Sequence, residues 1–289
     1  MPIAQQRCQL VFQKLERDLS KLAAKTHPEN VHSFRTATGR LRVLLEELVP
    51  ERTNNQKKLL KALGRIRRRA GKVRDLDVQL ATLRSLKFAQ DPRRKTELTQ
   101  ALIELRGEHE KRLRKLLTKE AVREIRERLK RAAKKTKTED AVDPLATARK
   151  ILQRVTLPAG NLAARSVTPS VTEDVLHQLR IAVKRARYAA EFAPKSVEAG
   201  QFIAELKRLQ DTLGSWHDWL TLTHAASDRF GDLRESALVA AVNNVTRGKF
   251  RQAVAAAASA FPTPKPVPAP ERPRKPGIKP PAQRRDSAA

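Results

Sequence analysis

Two short stretches of this 289-residue chain carry histidine and arginine at helical spacing, and they resemble each other. VHSFRTATGRLR (31–42) aligns with LHQLRIAVKRAR (176–187), pairing His32 with His177, Arg35 with Arg180, Ala37 with Ala182, Arg40 with Arg185 and Arg42 with Arg187. On a helix that turns roughly 100° per residue, His177, Arg180, Lys184 and Arg187 fall within about 80° of arc. His32, Arg35 and Arg42 take the same stripe in the first copy. Gly39 stands where the second copy has its lysine, which removes one charge and leaves open space. Arg40 and Arg185 lie toward the other side of the histidine. Val31, Phe34, Leu41, Leu45 and Leu48 occupy much of the remaining circumference, so the helix has a core side and a basic side.

A second pair of blocks follows in the same order. LLKALGRIRRRAGKVRD (59–75) aligns with FIAELKRLQDTLGSWHD (202–218), matching Leu63 with Leu206, Arg65 with Arg208, Gly71 with Gly214 and Asp75 with Asp218. Lys61, Arg65, Arg68 and Lys72 form another stripe about 60° wide. In the second copy only Arg208 remains of it, with Ala204, Asp211 and Ser215 in the other places. If both halves face one cavity, the first supplies most of its charge. No comparable acidic stripe at i+4 neutralises these cations. Asp75 and Asp218 are expected to cap a helix or orient a basic side chain. His27, His109 and His224 are unpaired by the repeat and read as surface or core residues.

Closely spaced cations of this kind suit a linear polyanion. Arginine offers forked donors that match phosphate oxygens, lysine a mobile point charge. Histidine adds a donor whose charged form a bound polyanion favours. Readers of single-stranded nucleic acid interleave aromatic rings with basic residues, since stacking contributes roughly 1–3 kcal/mol per base. This chain has 2 Trp, 1 Tyr and 8 Phe, and none falls within residues 61–72. A basic nucleic-acid- or ribosome-associated protein is the rival reading, because a net charge of +29 makes some DNA or RNA binding almost unavoidable at low salt. There is no phosphate loop, no HExxH and no acidic cluster spaced for two metals. Asp75 and Asp77, nearest the stripes, are a weak Mg²⁺ signal. The expectation is a non-catalytic binding protein without cofactor or resident metal.

The elements that must position these residues are helices. Leucine and valine recur at three- and four-residue spacing, no stretch alternates at period two, and strong helix formers dominate. Breaks are expected near Pro28, Pro50, Pro92, Pro144, Pro158, Pro169 and Pro194. Thr53 or Asn54, and Thr172, are candidate N-caps. The spacing predicts helices near 4–25, 29–48, 55–88, 94–136, 144–156, 171–193, 198–228 and 232–259, the long ones kinking or splitting, for instance at Gly71. The chain therefore reads as all-α, two related helical halves (1–140 and 141–260) joined through the polar stretch 134–144. Nine of the 17 prolines lie in 261–289, a basic segment poor in large apolar residues and expected to be disordered. One cysteine, Cys8, excludes a disulfide framework and a cysteine-based zinc site. The start carries Glu16 and Asp18 and lacks a long apolar segment, so it does not read as a secretory signal, and no apolar run approaches the roughly 18 residues of a membrane span. A cytoplasmic protein without membrane partners is expected.

The paired blocks resemble the CHAD domain, the conserved histidine α-helical domain: VHSFRTATGRLRVLLEEL and LHQLRIAVKRARYAAEF match its histidine signature. LGRIRRRAGKVRDLDVQL and LKRLQDTLGSWHDWLTL match its second signature. The resemblance covers most of residues 1–260. It implies two pseudo-symmetric helical bundles around a basic channel that binds inorganic polyphosphate, with His32, Arg35, Arg42, His177, Arg180, Lys184 and Arg187 at the family's basic motif positions. Gly39 departs from that pattern. The resemblance also opens a location on polyphosphate granules. The triphosphate-processing domain fused to some family members needs an ExExK strand, which this chain lacks.

Overall fold

The computed structural model describes residues 5–49, 51–136, 142–162 and 171–261. The proline-rich segment beyond 261, Pro50, Pro169 and the middle of the 134–144 joint lie outside these residues. Every regular element described is helical: α1 (Gln5–Ala24), α2 (Pro28–Val43, extended by a π-helical turn over Leu44–Leu48), α3 (Asn54–Ser85), α4 (Pro92–Arg114), α5 (Lys119–Lys135), α6 (Pro144–Leu162), α7 (Glu173–Ala190), α8 (Val197–Phe230) and α9 (Ala237–Ala260). No described helix is long and apolar enough to cross a membrane.

Local chemistry sets most boundaries. Thr53 caps α3 in a reciprocal box with Gln56: the Gln56 N–H donates to Thr53 Oγ1 at 3.3 Å, and the Thr53 N–H donates to Gln56 Oε1 at 2.8 Å. Thr118, Thr172, Ser196 and Ser236 cap α5, α7, α8 and α9 through their hydroxyls. Pro28, Pro92 and Pro144 open helices, where a missing N–H costs nothing. Three expectations change. The helix expected over 94–136 divides at Lys115–Thr118, where Leu116 and Leu117 turn onto the core and Thr118 starts α5. Gly71 does not break α3; it is buried inside the continuous helix. α6 continues past Pro158 to Leu162, since a proline in a final turn removes one backbone hydrogen bond while the earlier turns pack along α7.

The repeat is visible in the packing. α1 pairs with α2 as α6 pairs with α7, and α3 pairs with α4 as α8 pairs with α9. The halves meet where α2 packs on α7 and α3 on α8. α5 rests on α1 and α3 and has no counterpart among the described residues. The main core takes residues from both halves, among them Leu15, Phe34, Leu41, Leu63, Val183 and Trp216. A second core forms where the later turns of α3 and α8 meet α4 and α9, through Leu76, Leu83, Leu98, Leu222 and Val242. Cys8 belongs to the main core, and burial pushes its thiol up to about 11.

Ion pairs lock the α2–α7 crossing. Arg40 on α2 reaches Glu191, just past α7, with Nε to Oε2 at 2.6 Å and Nη2 to Oε1 at 3.2 Å. Arg187 pairs with the same carboxylate from four residues earlier. The first half repeats the pattern with two acids: Arg42 holds Glu46 at 2.8 Å, and Arg185 pairs with Glu47. Glu46 is the repeat partner of Glu191, yet Glu47 meets Arg185. The π-turn, closed by the Val49 N–H on the Leu44 carbonyl at 3.1 Å, shifts the register by one residue. Acids at i+4 therefore do neutralise the C-terminal end of each basic stripe, contrary to the sequence expectation. Gly39 does not leave open space either. Tyr188 fills it, and a Cβ at position 39 would stand 2.8 Å from Tyr188 Cε2. The guanidinium groups of Arg40 and Arg187 lie 5.2 and 5.0 Å from that ring.

Glu191→Ala leaves two half-buried guanidinium groups without their acid and is expected to cost about 3 kcal/mol in urea unfolding. Glu97→Ala, which breaks the exposed Arg229–Glu97 pair (51% and 45% exposed), should cost less than about 1 kcal/mol. Equal losses would mean that apolar contacts alone hold the crossing.

Candidate anion-binding site

Beside the locked crossing, α2, α3, α7 and α8 bring a second set of cations together. Among the described residues, no acid is hydrogen-bonded to them. Arg35 lies flat on α3 over Gly71, its Nη1 3.5 Å from the Arg67 carbonyl. The absent Cβ of Gly71 makes that approach possible. Arg180 occupies the equivalent place on α7, and Gly214, its matching glycine, faces open space. Lys184 sits among Arg180, Arg35, Arg67 and Arg187. Burial, and then these four charges, lower its ammonium from 10.5 to about 8. Burial also holds the Arg35, Arg67 and Arg180 guanidinium groups below their ordinary value. His32 is held low by burial, then by Arg74, Lys184, Arg35 and Arg40.

The α8 side is less basic. His217 stands where the repeat puts Arg74, and its ring lies 5.2 Å from that of His177. Burial and the nearby Arg180 push its pKa down to about 3, so it is neutral across the physiological range. Asp218 is raised by burial, while Arg180 and Arg74 work in the opposite direction. Asp75 and Asp218 lie in the middle of α3 and α8 and so cap nothing. Their charges bear on Arg35 and Arg180, the orienting half of the sequence expectation. Asp77 is taken by Arg106 Nε at 2.9 Å.

Two buried polar atoms of this cluster, Arg67 Nε and His217 Nδ1, have no hydrogen-bond partner. Buried polar groups are nearly always paired, so orphans at a basic cluster mark a place where a ligand oxygen would be accepted.

The structure divides the residues singled out in the sequence. His32, Arg35, His177, Arg180 and Lys184 join the central cluster. Arg40, Arg42, Arg185 and Arg187 are engaged by Glu191, Glu46 and Glu47 at its edge. Arg187 also donates from Nε to Gln210 Oε1 at 2.9 Å. Lys61, Arg65, Arg68 and Lys72 are exposed on a different face of α3, about a third of a turn away. Lys61 and Arg65 look toward α5. Arg208 is exposed on α8 and makes no ion pair among the described residues. In place of that stripe, α3 contributes Arg67 and Arg74. The sequence stripe passed them over, although they flank Gly71 at helical spacing and the Gly–Asp alignment runs through Arg74. The greater charge of the first half persists, carried by these residues, since Gln210 and His217 replace them in the second.

None of the cluster lines a groove of about 970 Å³ between α8 and α9, where Arg247 and Arg251 are mixed with Glu173, amides and Phe250.

The profile of the CHAD domain family matches residues 6–227. The fold is similar to the crystal structure of the CHAD domain from the plant Ricinus communis, at 20% identity over 89% of this chain and 85% of that one, with a TM-score of 0.58. No curated protein matches the sequence.

Gly71→Ala drives a methyl group into the resting place of the Arg35 guanidinium, a flexible end that can move aside. Helix propensity then favours the variant, and its melting temperature should hold or rise. Affinity for tripolyphosphate should fall about tenfold, the loss of one charge-assisted hydrogen bond. Gly214→Ala, facing open space, should change neither quantity; matching affinity losses in both variants would remove Arg35 from the site.

Proposed function

Because the chain belongs to the CHAD domain family, we propose that it binds inorganic polyphosphate where α2, α3, α7 and α8 meet, without catalysing its breakdown. One observation carries the reading: two repeats converge to leave Arg35, Arg67, Arg180 and Lys184 mutually repelling, part-buried and without a hydrogen-bonded acid. A flexible chain of phosphates relieves that repulsion and supplies acceptors to Arg67 and His217. The cluster offers no aromatic platform for bases; its one neighbouring tyrosine, Tyr188, is 3% exposed and packed against Gly39. In this reading His32 and His177 are secondary donors. The protein is cytoplasmic, and polyphosphate binding would place it on granules of that polymer. Nucleic acid binds only through net charge.

The test is competition at physiological salt. Duplex DNA or RNA at matched phosphate should fail to displace long-chain polyphosphate; displacement would give the site to nucleic acid. Arg35→Gln with Arg180→Gln should weaken polyphosphate binding by at least about a hundredfold, at roughly 1.5–3 kcal/mol per charged hydrogen bond, with helix content unchanged. Unchanged affinity would refute the placement.

Binding should also take up protons. With Lys184 lowered to about 8 from 10.5, the empty folded protein holds fewer protons than the unfolded chain between those values. Its stability therefore gains from this group as pH rises through that window. A bound polyanion pulls the ammonium back up. Calorimetry at pH 9 in buffers of different ionisation enthalpy should show proton uptake that Lys184→Gln reduces.

A further inference from the structure

The stripe that turned away from the central cluster has a surface of its own. Lys58, Lys61 and Arg65 on α3 face Lys115 and Arg128 across a groove of about 440 Å³ between α3 and α5. That volume lies within the range of small-molecule sites. Ile66 and Ile125, 3% and 4% exposed, form a rigid floor. Arg128 is held by Glu124, with Nη2 to Oε1 at 2.7 Å. Among the described residues no carboxylate pairs with Lys58, Lys61, Arg65 or Lys115. Four cations with no carboxylate partner among the described residues, set around one concave surface, make a strong local positive potential.

The helix terminus at this groove is already satisfied. Thr118 accepts from the Ala121 N–H at 3.2 Å. The Glu120 carboxyl is held low first by its own backbone N–H and then by Thr118. An anion in the groove would therefore be held by side chains of α3 and α5. Nor is the charge an echo of the repeat: the second half has Gln201, Ala204 and Arg208 at the positions of Lys58, Lys61 and Arg65, and no counterpart of α5 among the described residues. Beyond the groove the cations continue along α3 through Arg68 to Lys72, whose charge, after burial and Arg112, helps lower His109 on α4. From Lys58 to Lys72 the line runs about 21 Å at 1.5 Å per residue.

We infer that the α3–α5 groove is a second, independent site for phosphate oligomers, the outer end of a track on which a long polyphosphate chain is held while another part of it occupies the central cluster. The inference rests on the polyphosphate reading above, and its failure can be told apart from the failure of that reading. The experiment is lysine acetylation of the full chain, read peptide by peptide by mass spectrometry, with and without tripolyphosphate, beside calorimetric titration of the same ligand. Tripolyphosphate should abolish labelling of Lys58, Lys61 and Lys115. That protection should persist in Arg35→Gln with Arg180→Gln. It should disappear from Lys58 and Lys115 in Lys61→Gln with Arg65→Gln, exposed positions whose replacement leaves the fold intact. Calorimetric binding without protection of these lysines overturns the groove and leaves the central site standing. Protection that vanishes with the central double variant overturns its independence. No binding by calorimetry overturns both readings.

Discussion

Crowded positive charge at the meeting of α2, α3, α7 and α8 is the constraint around which this molecule is organised. Two unit charges about 4 Å apart near a protein surface repel by roughly 4 kcal/mol, and here several cations are part-buried together. That repulsion is a cost that other interactions must offset. The extended apolar core does so, built from both halves and including Leu41, Leu63, Val183 and Trp216. Two ion pairs, Arg40–Glu191 and Arg185–Glu47, tie α2 to α7, and Arg187 and Arg42 hold Glu191 and Glu46 from within their own helices. Burial first, and then the remaining repulsion, depress the Lys184 ammonium.

Arginines that look alike in sequence thus have two kinds of work. Arg40 and Arg187 converge on one carboxylate and hold Tyr188 between them; they build the crossing. Arg35 and Arg180 sit two turns earlier; among the described residues no carboxylate is hydrogen-bonded to them, although the charges of Asp75 and Asp218 bear on them. The separation follows from the helix: Glu46 and Glu191 stand four residues after Arg42 and Arg187, within reach of that turn and not of the one that carries Arg35 and Arg180.

The two halves match in topology and differ in chemistry. Gly71 lets Arg35 lie on α3, while Gly214 has only open space beside it. Arg67 and Arg74 on α3 become Gln210 and His217 on α8. Among the described residues α5 occurs only in the first half, and it gives α3 a second basic face, turned toward the groove with Lys115 and Arg128. A polyanion would meet a graded surface, strongest along α3 and weaker toward α8.

The repeat, most helix spans, the caps at Thr53 and Thr172 and the histidine–arginine stripe of α2 and α7 were legible in the sequence, because helical spacing, capping chemistry and internal similarity are local properties. Which cations share a cavity was not. Lys61, Arg65, Arg68 and Lys72 form as clear a stripe as any, yet they face α5 and solvent, while Arg67 and Arg74 turn inward beside Gly71. Amphipathic pattern separates a polar arc from an apolar one, but it cannot say which part of the polar arc a neighbouring helix will cover. Likewise Gly39 reads as a gap until Tyr188, 149 positions later, is seen to fill it. The sequence by itself determined an all-α repeat with an excess of positive charge. Only the tertiary structure decided which charges are neutralised and which are left free, because that depends on contacts between residues far apart in the chain.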